Sequence, residues 1–271
     1  MKNTYFYSTG LLSVLDQRFI QLKNMTPNFL VISFALLLIL VGGQIGSAQT
    51  VIQIGTGTSA PSVGVNPNAG IEGCSPYGVN VGSGAGGKKV QLIYTKAMID
   101  AAMTTAGFTP GTAFIHNVGF NITGIVTSGF NHQNYTIKMA NVAQADLSGG
   151  YYTGASTTVY GPTSFAPTAT GWYSLAIGTP FQWDGTSNLC VEVCYNYTGV
   201  GLITTYGGCQ YTAVGGNNHM GFAGGAAASC ATAFPGTGSQ TNRLSNMRLT
   251  VTSATPCSGA PAVSTAGSAT V

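Results

Sequence analysis

The stretch TPFQWDGTSNLCVEVCYNY, Thr179 to Tyr197, sets two runs of strand-forming residues on either side of Asp184-Gly185. Aspartate before glycine is a turn signal, because the carboxylate accepts bonds from nearby backbone amides and glycine adopts positive φ freely. In the return run Leu189, Val191 and Val193 share one side of an extended chain, and Cys190, Glu192 and Cys194 share the other. This alternation predicts a strand with one buried and one wet face. Cys190 and Cys194 would then stand about 13 Å apart between Cα atoms. A disulfide needs less than about 7 Å, so these two cannot pair with each other.

Short alternating runs divided by Gly, Pro, Asn and Ser recur on both sides of this hairpin. Strands are expected near Val51–Ile54, Val90–Tyr94, Ala113–Thr123, Tyr135–Ala140, Thr157–Tyr160, Gly171–Ile177, Leu189–Tyr195, Gly201–Tyr206 and Asn246–Thr252. Their number and spacing predict an all-β fold, a jelly-roll-like antiparallel β-sandwich with long loops. One short helix is expected in TKAMIDAAMTTAG, with Thr95 as its cap, Gly107 as its stop and an apolar stripe at Met98, Ile99, Ala102 and Met103. Too short to be stable alone, it is expected to cover an open end of the sandwich. Residues 57–89 and 215–240 read as long irregular segments, with Lys88-Lys89 a solvated pair in a Gly-rich loop.

The first 48 residues read as an export leader. Phe29–Val41 is an apolar run of thirteen residues, preceded by Arg18 and Lys23 and followed by Gly46-Ser47-Ala48. A signal-peptide core takes roughly 7 to 15 apolar residues before a small-residue cleavage site, whereas a spanning helix needs about 20. Cleavage is expected after Ala48, an uncleaved N-terminal anchor being the alternative. The module itself is expected over residues 49–254, secreted or at the cell surface and without a membrane span after cleavage. Beyond residue 48 stand six bases and five acids, a formal charge of +1. Nucleic-acid binding calls for a strong basic patch, and this composition has none.

Few residues invite chemistry. Asp184 and Glu192 are the carboxylates in one hairpin, and glycoside hydrolysis needs two that face each other across roughly 5 to 9 Å. Both have a structural reading, Asp184 in the turn and Glu192 on the strand. His132 reads as a turn residue, His219 as a loop residue, and His116 shares a strand face with Val118 and Phe120. None has neighbours at metal-ligand spacing, and no cofactor is implied. All six cysteines lie in the exported part, where disulfides form, and Cys74, Cys190, Cys194, Cys209 and Cys230 are the candidates. Aromatic side chains are the better lead. Rings on a sandwich surface stack on sugars while Asn and Gln bond hydroxyls, and Trp172, Tyr173, Tyr151 and Tyr152 are the candidate ligand-binding residues. Trp172 and Tyr173 point to opposite sides of a regular strand, so at most one of them serves.

VIQIGTGTSAP, VQLIYTKAMIDAAM, NYTIKMANV, the run from TTVYGPTSFAP through CVEVCYN, and NRLSNMRLTV together resemble a β-sandwich module of secreted and surface proteins of Bacteroidota-type bacteria. The resemblance covers most of residues 50–252. It implies a jelly-roll sandwich that commonly precedes fibronectin type III repeats in substrates of type IX secretion. On that pattern residues 255–271 are a linker or the truncated start of such a repeat. It carries over no catalytic residue and assigns no ligand. The resulting expectation is a non-catalytic adhesion or binding module for polysaccharide or another surface glycan, within a larger multidomain protein. The alternatives are a structural spacer or self-associating filament protein, and an accessory domain of a secreted hydrolase.

Overall fold

The computed structural model describes residues 48–60, 76–77, 85–125, 131–198, 207–224 and 239–254, all within one compact unit. The expected leader up to residue 47, the strand at 201–206, Cys74, Cys230, Cys257 and the segment 255–271 lie outside the described residues. In chain order the elements are β1 (Thr50–Ile54), β2 (Ala85–Tyr94), α1 (Lys96–Thr105), β3 (Ala113–Gly124), β4 (Asn131–Val142), β5 (Thr157–Phe165), β6 (Gly171–Trp183) and β7 (Asn188–Thr198). There follow β8 (Gly208–Cys209), β9 (Tyr211–Ala213), β10 (His219–Gly224), β11 (Ser239–Thr241), β12 (Arg243–Ser245) and β13 (Met247–Ser253).

The smaller sheet runs β1-β13-β3-β6, with β8 also on β3, and the larger runs β11-β10-β2-β7-β4-β5. All pairings are antiparallel. Among the eight principal strands, β1 to β7 and β13, the chain changes sheet at every step but the hairpin from β4 to β5. The protein is thus an all-β sandwich of jelly-roll order with one short helix.

The core lies between the sheets. Ile52, Val118, Phe120, Leu249 and Val251 of the smaller sheet meet Val90, Leu92, Ile137, Val191 and Val193 of the larger. Helix α1 plugs one end. Thr95 Oγ1 accepts from the Met98 amide at 3.3 Å, and Ile99 and Met103 sit over Trp183, Ala113 and Leu189. The opposite end of β7 is closed by rings, where Tyr77, His132, Tyr135, Phe165 and Tyr195 cluster with centroids 4.6 to 6.3 Å apart.

The β6–β7 turn forms as the Asp-Gly signal dictates. Asp184 Oδ1 accepts from the Thr186 and Ser187 amides at 2.8 and 2.7 Å, and Oδ2 from the Ser187 hydroxyl at 2.7 Å. Gly185 has φ +76°, and a Cβ there would lie 2.6 Å from the Thr112 amide nitrogen. Partial burial pushes the Asp184 carboxyl up, but the bonds from Ser187 and Thr186 outweigh it and hold the group below its usual range. Asp184→Ala is expected to lose about 1–2 kcal/mol by urea denaturation, since it strips a turn of its side-chain acceptor. Asp184→Asn keeps one acceptor oxygen and is expected to lose less. Equal losses for the two would mean that the charge, not the acceptor, holds the turn.

Four expectations are corrected. Residues 189–195 of β7 have no wet face: Cys190, Glu192 and Cys194 are buried as well as Val191 and Val193, and Leu147, Tyr151 and Tyr152 pack with Cys190 on the outer side of the larger sheet. Lys88 and Lys89 are not a solvated loop pair but buried residues of β2, at 0% and 5% exposure. The segment read as irregular at 215–240 contains β10, which bonds to β2 and extends the larger sheet. His132 and His219, read as turn and loop residues, are buried strand residues of β4 and β10.

A fifth difference comes from backbone irregularity. A register shift between Ile115 and Asn117 leaves both Ile115 and Val118 in the core. His116 therefore does not share the buried face of Val118 and Phe120. Half-buried, it sets Nε2 3.0 Å from Thr252 Oγ1.

Candidate functional site

The outer side of the smaller sheet presents the one tryptophan of the fold that does not belong to the core. Because Ile52 and Ile54, Phe120 and Ile122, and Met247 and Leu249 point inward, alternation turns Gln53, Asn121 and Arg248 outward. Register aligns Gln53 with Arg248, Arg248 with Gly119, and Gly119 with Ser174, while Asn121 stands opposite Trp172. The Arg248 guanidinium lies over the Trp172 ring, with Cζ 4.1 Å from the ring centroid. Its Nε donates to Gln53 Oε1 at 2.9 Å.

Arg248 and Trp172 stand two strands apart, about 9–10 Å between backbones, and meet only by leaning across β3. Gly119 makes that crossing open. It has no side chain to stand between them, and a Cβ there would lie 2.6 Å from the Tyr173 carbonyl oxygen. The Arg–Trp contact contributes about 0.5–1 kcal/mol at this half-buried surface position. Around it Asn121 Nδ2 donates to Gln210 Oε1, and the Gln210 amide donates to the Asn121 carbonyl at 2.8 Å. The result is a patch on the sheet face that brings together the Trp172 ring, the Arg248 guanidinium and several neutral amides. Beside Gln53, between α1 and strands β1, β9 and β12, lies a cleft of about 300 Å³ bordered by Met98, Ala101, Thr105, Thr212 and Leu244.

Of the four aromatic candidates, only Trp172 belongs to this face. Tyr173 points the other way, packs against the core and donates its hydroxyl to the Ala169 carbonyl at 2.9 Å. Tyr151 and Tyr152 pack on the outer side of the larger sheet, where Gln91 grips the Tyr152 backbone through bonds of 2.8 and 2.9 Å. Arg248, Gln53 and Gln210 were not among the sequence candidates. The alternation in TVIQI and NMRLTV would have placed Arg248 and Gln53 on one outward face, had those strands been known to adjoin.

The larger sheet's outer side carries the other concentration of polar groups. Glu192 Oε1 is 3.6 Å from both Lys89 Nζ and Lys138 Nζ, and Gln91 Nε2 donates to Oε2 at 2.9 Å. Burial pushes the Lys89 ammonium down, and Glu192 opposes that shift. Glu192 is only 7% exposed and lies mid-strand, while Asp184 spends its oxygens in the turn. The two carboxylates are therefore not brought face to face as glycoside hydrolysis requires.

His132 is sealed in the ring cluster with Nδ1 3.1 Å from the Phe165 carbonyl, and His219 Nδ1 is 2.9 Å from the Arg243 carbonyl. Among the described residues no group of three His, Cys, Asp or Glu could hold a metal ion. No two of the described cysteines are joined, and the buried Cys190 and Cys209 form no disulfide, which corrects the disulfide expectation for both. Burial, with Glu192 adding to it, raises the Cys190 thiol well above its usual range, so it is an inert packing residue. Among the described residues no helix is long and apolar enough to cross a membrane.

Neither a family model, nor a curated protein, nor a solved structure matches the chain.

Proposed function

We propose that the protein is a non-catalytic binding module, secreted or displayed at a cell surface within a larger multidomain protein, and that it binds polysaccharide on the outer face of its smaller sheet. The observation that carries this reading is the Trp172–Arg248–Gln53 arrangement. A half-buried ring with a guanidinium over it and fixed amides beside it combines an aromatic platform with the hydrogen-bonding partners that sugar recognition uses. The resemblance to Bacteroidota-type surface modules agrees with such a role. Edge-to-edge assembly into a filament is the second reading, and two prolines work against it. Pro162 and Pro180 interrupt β5 and β6, the strands that end the two sheets on one side, and proline blunts an edge as a template for pairing.

A panel of soluble polysaccharides screened by affinity electrophoresis tests the proposal. Trp172→Ala is expected to weaken retention at least ten-fold while lowering the melting temperature by only a few degrees. Tyr173→Ala is expected to lower the melting temperature and leave retention of the folded protein intact. Retention indifferent to Trp172, or none on any polysaccharide, would sink the reading.

A further inference from the structure

We propose that the Trp172–Arg248 face selects carboxylated polysaccharides, polymers of uronic-acid type, with the Arg248 guanidinium holding the sugar carboxylate. The inference rests on the polysaccharide reading of the same face. Arg248 is placed for this by what it lacks as much as by what it has. Its Nε is engaged by Gln53 and its plane by Trp172. Its two terminal amino groups have no hydrogen-bond partner among the described residues.

Nor does a carboxylate among the described residues neutralise it. Asp100 pairs with Lys96 on the helix, Asp146 bonds the Ser148 amide, Asp184 is in its turn and Glu192 is buried on the other sheet. Asp16 and Glu72 lie outside the described residues. An arginine held from behind on two sides, with its outer fork open, is preorganised for a planar bidentate anion, and little side-chain freedom remains to be lost on binding.

The surroundings select the kind of anion. Beyond Arg248 the face offers neutral groups, namely Asn121, Gln210, Gln53 and Thr250, with Trp172 beside them. One cation among neutral donors matches a polymer that bears one carboxylate per ring and otherwise hydroxyls. Densely sulfated chains call for clustered basic residues, which this face does not have. Charge complementarity and the carboxylate-shaped fork thus point to the same occupant.

The test uses the full chain and titrates three uronate polymers, polygalacturonate, alginate and hyaluronate, alongside methyl-esterified polygalacturonate, dextran sulfate and neutral glucans. At least one uronate polymer is expected to bind. Arg248→Gln and Arg248→Lys are both expected to weaken it at least ten-fold with the melting temperature lowered by no more than a few degrees, because lysine restores the charge but not the fork. If polygalacturonate is the ligand, its esterification is expected to weaken binding as much. Equal binding of dextran sulfate, or uronate binding that survives Arg248→Gln, overturns the assignment. Binding of a neutral glucan through Trp172 with no uronate bound overturns the acid specificity and leaves the polysaccharide reading standing. No binding across the panel overturns both.

Discussion

Glu192→Ala is expected to destabilise the fold by about 3–5 kcal/mol, the range for breaking a buried charge pair from one side. The glutamate is the shared counter-ion of Lys89 and Lys138, and Lys89 has a side chain only 6% exposed. Removing the carboxylate leaves an ammonium in a place that already disfavours its charged form. It also takes the acceptor from Gln91 Nε2, which helps hold Tyr152 over the sheet. Glu192→Gln is expected to lose less, since it can still accept from Gln91. Replacing Lys89, Lys138 and Glu192 together by methionine is expected to recover most of the loss, because apolar residues of similar size often substitute for buried ions at no cost. Urea unfolding of the three variants decides the matter, and a single-variant loss under 1 kcal/mol would show that the cluster carries no such weight.

Acid is expected to weaken the protein well before its carboxylates titrate. Burial drives the His132 imidazole down from about 6.5 to about 3, its bond to the Phe165 carbonyl opposes that shift, and nearby Lys88 adds to it. The unfolded chain therefore takes up this proton near pH 6.5, whereas the folded chain resists until near pH 3. Stability is full above the unfolded value and falls as pH drops, by about 1.4 kcal/mol per pH unit between roughly pH 6 and pH 3.5. The Asp184 carboxyl is also depressed, in its case because the charged form is favoured, and its stabilisation is likewise lost in acid, only below about pH 4. The interval from pH 6 to 4.5 thus separates His132 from Asp184. His132→Phe, which keeps a ring in the cluster, is expected to flatten the dependence there, and an unchanged slope would assign it to another group.

The local features were legible because their causes are local. Asp184-Gly185 turns by bonds to residues two and three positions on, α1 starts at the threonine that caps it, and the alternation at 189–193 marks a core strand. What escaped depends on partners far along the chain. Lys88-Lys89 looks like a surface pair until Glu192, over a hundred residues later, is set beside it. His219 looks like a loop residue until its strand finds β2. The candidate site divides in the same way: Trp172 was visible as an aromatic on a strand, but Arg248 joins it only through a sheet order in which β13 and β6 flank β3, and the bulge at His116 left no mark in the residue types.

The pairing of the first strand with the last has a mechanical consequence. Thr50 stands opposite Val251, and Ile54 opposite Met247, so the ladder's open end is where chain segments before β1 and after β13 leave the sheet. Tension applied through those segments loads this ladder as a zipper, one backbone pair at a time, rather than in shear across all of them together. Gln53 and Arg248 sit near the far end of the same ladder. A pull that peels β1 away therefore removes the support behind the guanidinium while the rest of the sandwich is still folded, which would tie the hold on the proposed ligand to the force on the chain.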